Sequence, residues 1–111
     1  MAEIIRLSKN KFKEDKPFSE KILETNEFLV IHFYLKKGQK IPMHTSPSTV
    51  FVSVLKGTGI FFYQTENQFK ELKTGDSIKY EPEEPHGFKA LDDMIVQAVI
   101  VPKPIKKVKI T

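Results

Sequence analysis

Three histidines, His32, His44 and His86, are the only side chains in this sequence that ordinarily titrate near neutral pH, and no cysteine accompanies them. Proton transfer, metal ligation and hydrogen-bonded recognition of a small molecule are therefore open to the chain. Thiol nucleophiles, thiolate metal sites, disulfides and redox pairs are excluded. His44 follows Gly38-Gln39-Lys40-Ile41-Pro42-Met43, and Ser46 stands two residues beyond it. Two residues apart on a strand share a face, so His44 and Ser46 project together. A Ser-His hydrolase would also need an orienting acid and an oxyanion hole, and the sequence carries no signature of either. His86 ends the run Glu81-Pro82-Glu83-Glu84-Pro85. Glu83 and Glu84 are adjacent and point apart, which suits a solvated turn and not an acid and base pair. His32, between apolar neighbours, reads first as a core histidine bonded to its surroundings.

Positioning these residues falls to β-strands. Pro, Gly and Asx punctuate the chain every eight to twelve residues, and short β-branched and aromatic runs lie between, the rhythm of an all-β sandwich or barrel. Strands are expected over residues 3–7, 21–25, 28–35, 49–56, 60–64, 69–72, 77–80, 87–90 and 94–101. The separators carry turn chemistry at Asn26-Glu27, Lys37-Gly38-Gln39, Gly57-Thr58-Gly59, Thr65-Glu66-Asn67, Thr74-Gly75-Asp76 and Asp92-Asp93. Pro17 restricts any helix to about one turn after Ser19. A length of 111 residues implies a single domain, with its core over 28–102, arm strands within 1–27 and a basic tail over 103–111. In that tail, Ile105, Val108 and Ile110 alternate with lysine as an edge strand would.

The runs 49–55, 60–63 and 94–101 are apolar on both faces. Successive strand side chains point to opposite sides, so both sides of these strands need cover. A barrel interior covers one side. The N-terminal segment, a second sheet or another copy of the chain must cover the other, and a homodimer is expected.

The same segments carry a family likeness. Gly38, His44 and Gly57 stand at the spacing of the first cupin segment, in which Gly, five residues, His, one, His, three or four, Glu, six and Gly follow in order. Gly75 and His86 hold the spacing of the second, and the Gly-Asp before a strand and the Pro before the histidine match too. The sequence thus resembles the cupin family. The resemblance implies an all-β antiparallel barrel of jelly-roll type, with His44 and His86 at metal-ligand positions inside it. It also exposes departures. Ser46 stands where the family has its second histidine and Val50 where it has glutamate, while Glu81, Glu83 and Ala90 replace the Pro, Gly and Asn of the second segment. Two imidazoles alone hold a divalent ion poorly. A site for Mn, Fe, Ni or Zn would need a recruited ligand: Glu84, which shares the face of His86 in an extended chain, its neighbours Glu81 or Glu83, or His32 turned inward.

By the family's parity Val50, Val52 and Val54 face inward with His44 and Ser46, and Phe51 and Leu55 face out. The expected pocket is an apolar barrel with a polar mouth formed by His44, Ser46 and His86, lined also by Val50, Tyr34 and Phe88. It would bind a small molecule, polar, sugar-like or carboxylate-bearing. A metal-dependent dioxygenase, isomerase or decarboxylase is the competing reading, and a structural barrel that has lost its site is the third. The net charge of +4 comes from 18 Lys and Arg against 14 Asp and Glu, and Arg6 is the sole arginine. Nucleic acid and membrane surfaces are therefore not expected partners. No apolar run suits a membrane span, and the first 25 residues lack that of a signal peptide, so a cytoplasmic location is expected.

Overall fold

A computed structural model describes residues 1–104. Within them lie nine strands: β1 (Phe18–Glu24), β2 (Leu29–Leu35), β3 (Lys40–His44), β4 (Thr49–Lys56), β5 (Thr58–Tyr63), β6 (Thr65–Lys73), β7 (Ser77–Tyr80), β8 (His86–Ala90) and β9 (Met94–Val101). A five-stranded sheet runs β1-β2-β9-β4-β7 and a four-stranded sheet runs β3-β8-β5-β6, with every pairing antiparallel. The two sheets face each other as a jelly roll, in one domain. No helix among the described residues is long and apolar enough to cross a membrane.

The doubly apolar runs form the heart of the fold. β9 lies between β2 and β4, with Ala98 opposite both Ile31 and Val52. Val50, Val52 and Val54 of β4 pack inward with Val96, Ala98, Leu35, Phe61 and Phe88, whereas Phe51, of opposite parity, is exposed. Burying each such side chain contributes roughly 1.5–3 kcal/mol, which makes this layer the main source of stability. At the β4–β5 turn Gly57 has φ +88°, and a Cβ there would lie 2.2 Å from the Asp93 carbonyl oxygen. Only glycine fits that turn.

The N-terminal arm differs from expectation. Residues 3–7 form no strand: β1 has an unpaired outer edge among the described residues, but Ile4, Ile5 and Leu7 stay exposed and bury no face that would hold a strand there. The arm instead makes a 3₁₀ turn at Lys9–Lys11, where Ser8 Oγ accepts a hydrogen bond from the Asn10 amide at 3.3 Å. It then lies over the outer face of the five-stranded sheet. Phe12 meets Tyr34 edge-on at 5.4 Å, and the Ser8 amide donates to the Tyr34 hydroxyl at 3.3 Å. The helical turn expected after Ser19 is absent, since Ser19 sits inside β1 opposite Phe33. β3 is an added strand, its alternation hidden by Pro42. Residues 103–104 follow β9 without regular structure, and the edge strand expected from Ile105, Val108 and Ile110 lies outside the described residues.

Candidate functional site

Whether His44 reaches the barrel interior depends on one extra residue. Ile41 stands opposite Phe88 and His44 opposite His86, so Pro42 and Met43 together face the single residue Gly87. In a regular strand with Ile41 inward, His44 would point out; the bulge restores it to the inner face. Both partners suit the distortion. Pro42 has no N–H to lose from the ladder, and a Cβ on Gly87 would stand 2.8 Å from the Ile41 carbonyl oxygen and 3.0 Å from the Met43 nitrogen.

The result is a column of rings. His44 and His86 lie with centroids 4.2 Å apart at 58°, and Tyr80 stacks on the other side of His86 at 4.6 Å. His44 Nδ1 donates to the Pro42 carbonyl at 2.8 Å and His86 Nδ1 to the Glu84 carbonyl at 2.9 Å. A carbonyl only accepts, so each Nδ1 carries a proton, and in its neutral form each ring keeps a lone pair on Nε2. His44 is exposed at the mouth; His86 and Tyr80 are buried. Among the described residues the Tyr80 hydroxyl has no hydrogen-bond partner, and burial, followed by the Glu84 charge, pushes its pKa up.

Burial also holds the His86 pKa below its usual value, with His44 lowering it further, while the Glu84 carbonyl and carboxylate oppose the shift. A base whose folded pKa is depressed binds more protons when unfolded, so its contribution to stability is intact above the unfolded value and lost as pH falls below it. The unfolding midpoint is expected to drop between about pH 6.5 and pH 5. Urea titrations across that range in wild type and His86→Gln check this: the variant should show a shallower decline.

Beneath the rings lies a cavity of about 70 Å³. His44, Ser46, Val50, His86 and Phe88 all line it, together with Phe33, Ile41, Val52, Ala98 and Ile100. Of these, Phe33, Ile41, Ala98 and Ile100 are wall residues that the sequence reading does not single out. Ala98 and Ile100 could have been found from their shared parity on β9. Tyr34 is a correction: it is fully buried beneath Phe12 and Phe18 on the opposite face of β2, and Phe33 takes its place on the wall. His32 shares the face of Tyr34 and bonds Gln97 Oε1 through Nε2 at 2.8 Å, so the three-histidine arrangement does not form. Glu84 turns its carboxylate back to the Glu81 amide at 3.0 Å.

Among the described residues no group of three or more His, Asp or Glu side chains is placed to hold a metal ion. With Val50 forming an apolar wall beside two imidazoles, the donor set does not fit the three or four ligands of a protein metal centre. Elemental analysis of protein purified without chelator or nickel resin should give well below one equivalent of Mn, Fe, Ni, Zn or Co, and none of these ions should raise the melting temperature.

The motif spacing, the two-sheet jelly roll and the inward histidine pair agree with a family model for the cupin domain, which matches residues 31–102, more than half of the chain. The chain belongs to the cupin family. Among solved structures this cupin is similar to an RmlC-like cupin protein from Desulfovibrio desulfuricans, at 26% identity and TM-score 0.84 over 93% of this chain and 98% of that one. It is also similar to a conserved protein of unknown function from Streptococcus pyogenes, at 24% identity and TM-score 0.78 over 96% and 91% of the two chains. A third is a conserved double-stranded β-helix protein from Klebsiella pneumoniae, at 24% identity and TM-score 0.77 over 90% and 91%. The latter two likenesses show the fold alone. No curated protein matches the sequence.

Proposed function

We propose that this cupin binds a small molecule in its barrel pocket, with His44 and His86 as the recognition pair. One observation carries the reading: a bulge and a bare glycine set two imidazoles side by side over an apolar cavity, each with an Nε2 that bonds nothing among the described residues. A mostly apolar wall with a few converging polar groups is the general make-up of a ligand site. A thermal-shift screen of small metabolites tests it. A ligand present at about a hundred times its dissociation constant stabilises the fold by about 2.7 kcal/mol. His44→Ala and His86→Ala should each reduce the shift; a shift undiminished in both variants places binding elsewhere.

We also propose a homodimer formed through the outer face of the five-stranded sheet. Leu23, Val30, Val99 and Phe51 are successive cross-strand neighbours on that face, with Val101 beside them. Leu23 is 46%, Phe51 44% and Val101 46% exposed, beyond the reach of the arm. A row of this kind is self-complementary under a two-fold axis, and a second copy would exclude water from it. Light scattering should give a dimer mass for wild type and a monomer mass for Phe51→Lys; a monomeric wild type overturns the proposal.

A further inference from the structure

The hydrogen-bond inventory of the pocket mouth points to the chemistry of its occupant. We propose that the ligand presents a neutral hydrogen-bond-donating head, a hydroxyl or two adjacent hydroxyls, on a small apolar body. This rests on the pocket reading above and narrows it. Both Nδ1 protons are committed to backbone carbonyls, so the two rings offer only acceptors to the cavity. Ser46 Oγ accepts from the Ser48 amide at 3.2 Å, which leaves its own proton to donate. The mouth therefore supplies two acceptors from rings 4.2 Å apart and one donor. Hydroxyls on neighbouring carbons match it, each giving a proton to one Nε2 while one oxygen accepts from Ser46.

A carboxylate does not match. Among the described residues no lysine or arginine lines the cavity, so an anion there would surrender its hydration to face two lone pairs without a cation beside it. The Glu84 carboxylate acts electrostatically on both His86 and Tyr80, and it adds negative potential to the same corner. A sugar ring fails for a different reason. Below the histidines the wall is Phe33, Val50, Val52, Phe88, Ala98 and Ile100, which leaves ring hydroxyls without partners. With about 70 Å³ of space, the buried portion is limited to a few carbon atoms or one edge of a small ring.

Catechol, phenol and benzoate form the test set: one flat body carrying two donors, one donor or an anion. Binding to the whole protein is followed at pH 7.5 with EDTA present, through the methyl signals of Val50 and Val52 and the histidine ring nitrogens. Each added hydrogen bond corresponds to about tenfold in affinity, so catechol should bind about tenfold tighter than phenol, and phenol at least about tenfold tighter than benzoate. His44→Ala should bring catechol and phenol to near equality. His44 is exposed, so this variant keeps the test independent of whether His86→Ala folds. Benzoate binding as tightly as phenol with the same methyls shifted would overturn the head-group assignment and leave the pocket reading standing. Failure of all three probes to move those methyls would overturn the pocket reading, and this inference with it.

Discussion

Gly87→Ala should lower stability by about 3 kcal/mol, at the upper end for overpacking, and should weaken ligand binding by at least about tenfold. The new methyl has nowhere to go. It would stand 2.8 Å from one backbone atom of β3 and 3.0 and 3.1 Å from two others, and backbone cannot turn aside as a flexible side chain can. β3 must move away from β8, and the ladder between them is short, with Lys40, Ile41 and His44 as its paired residues. The displacement falls on the segment that sets His44 beside His86, so stability and binding should decline together. Urea unfolding and the catechol titration measure the two effects on one sample. An unchanged midpoint with unchanged affinity would show that the bulge does not set the histidine pair.

Phe61→Ala is expected to be costlier still for the fold, at about 4 kcal/mol. Phe61 is fully buried and stacks on Phe88 with centroids 5.1 Å apart, and Phe88 in turn meets Phe33 edge-on at 5.7 Å. This aromatic column joins the four-stranded sheet to the five-stranded one directly behind the cavity. Against a typical total of about 5–15 kcal/mol the loss is large, and the melting temperature should fall by about 15 °C or more. The deleted ring would leave a dry void behind Phe88, so added benzene should restore part of the lost stability. A fall of only a few degrees would indicate that the two sheets collapse to fill the space.

Strand order is written into the sequence where a run has one plausible inner face or a spaced anchor. Val50 stands at a fixed distance from both His44 and Gly57, which sets the parity of β4, and Val50, Val52 and Val54 do face the core. β2 has no such anchor. Leu29 to Leu35 is apolar on both faces, so alternation cannot tell which face the barrel takes, and Tyr34 and Phe33 exchange roles. β3 escapes notice for another reason: its bulge breaks the period of two, and Pro42 reads as a strand breaker. Residues 3–7 show the converse failure, for their composition suits a strand but Ile4, Ile5 and Leu7 find no apolar surface to cover. The histidine pair is legible through spacing alone. Its tautomers and its apolar floor are not, because both follow from backbone carbonyls and cross-sheet contacts between distant residues.

The central place of β9 has a consequence for how the protein is made. β2 and β4 flank it in the sheet, and both are synthesised well before it. Until Met94–Val101 leaves the ribosome, these two strands can only wait, each with a bare edge toward the other. Such edges are templates for pairing with another chain. The nascent protein is thus exposed to misassembly between the emergence of β4 and that of β9, and closure of the larger sheet should come late and abruptly, when β9 enters the gap between its two partners.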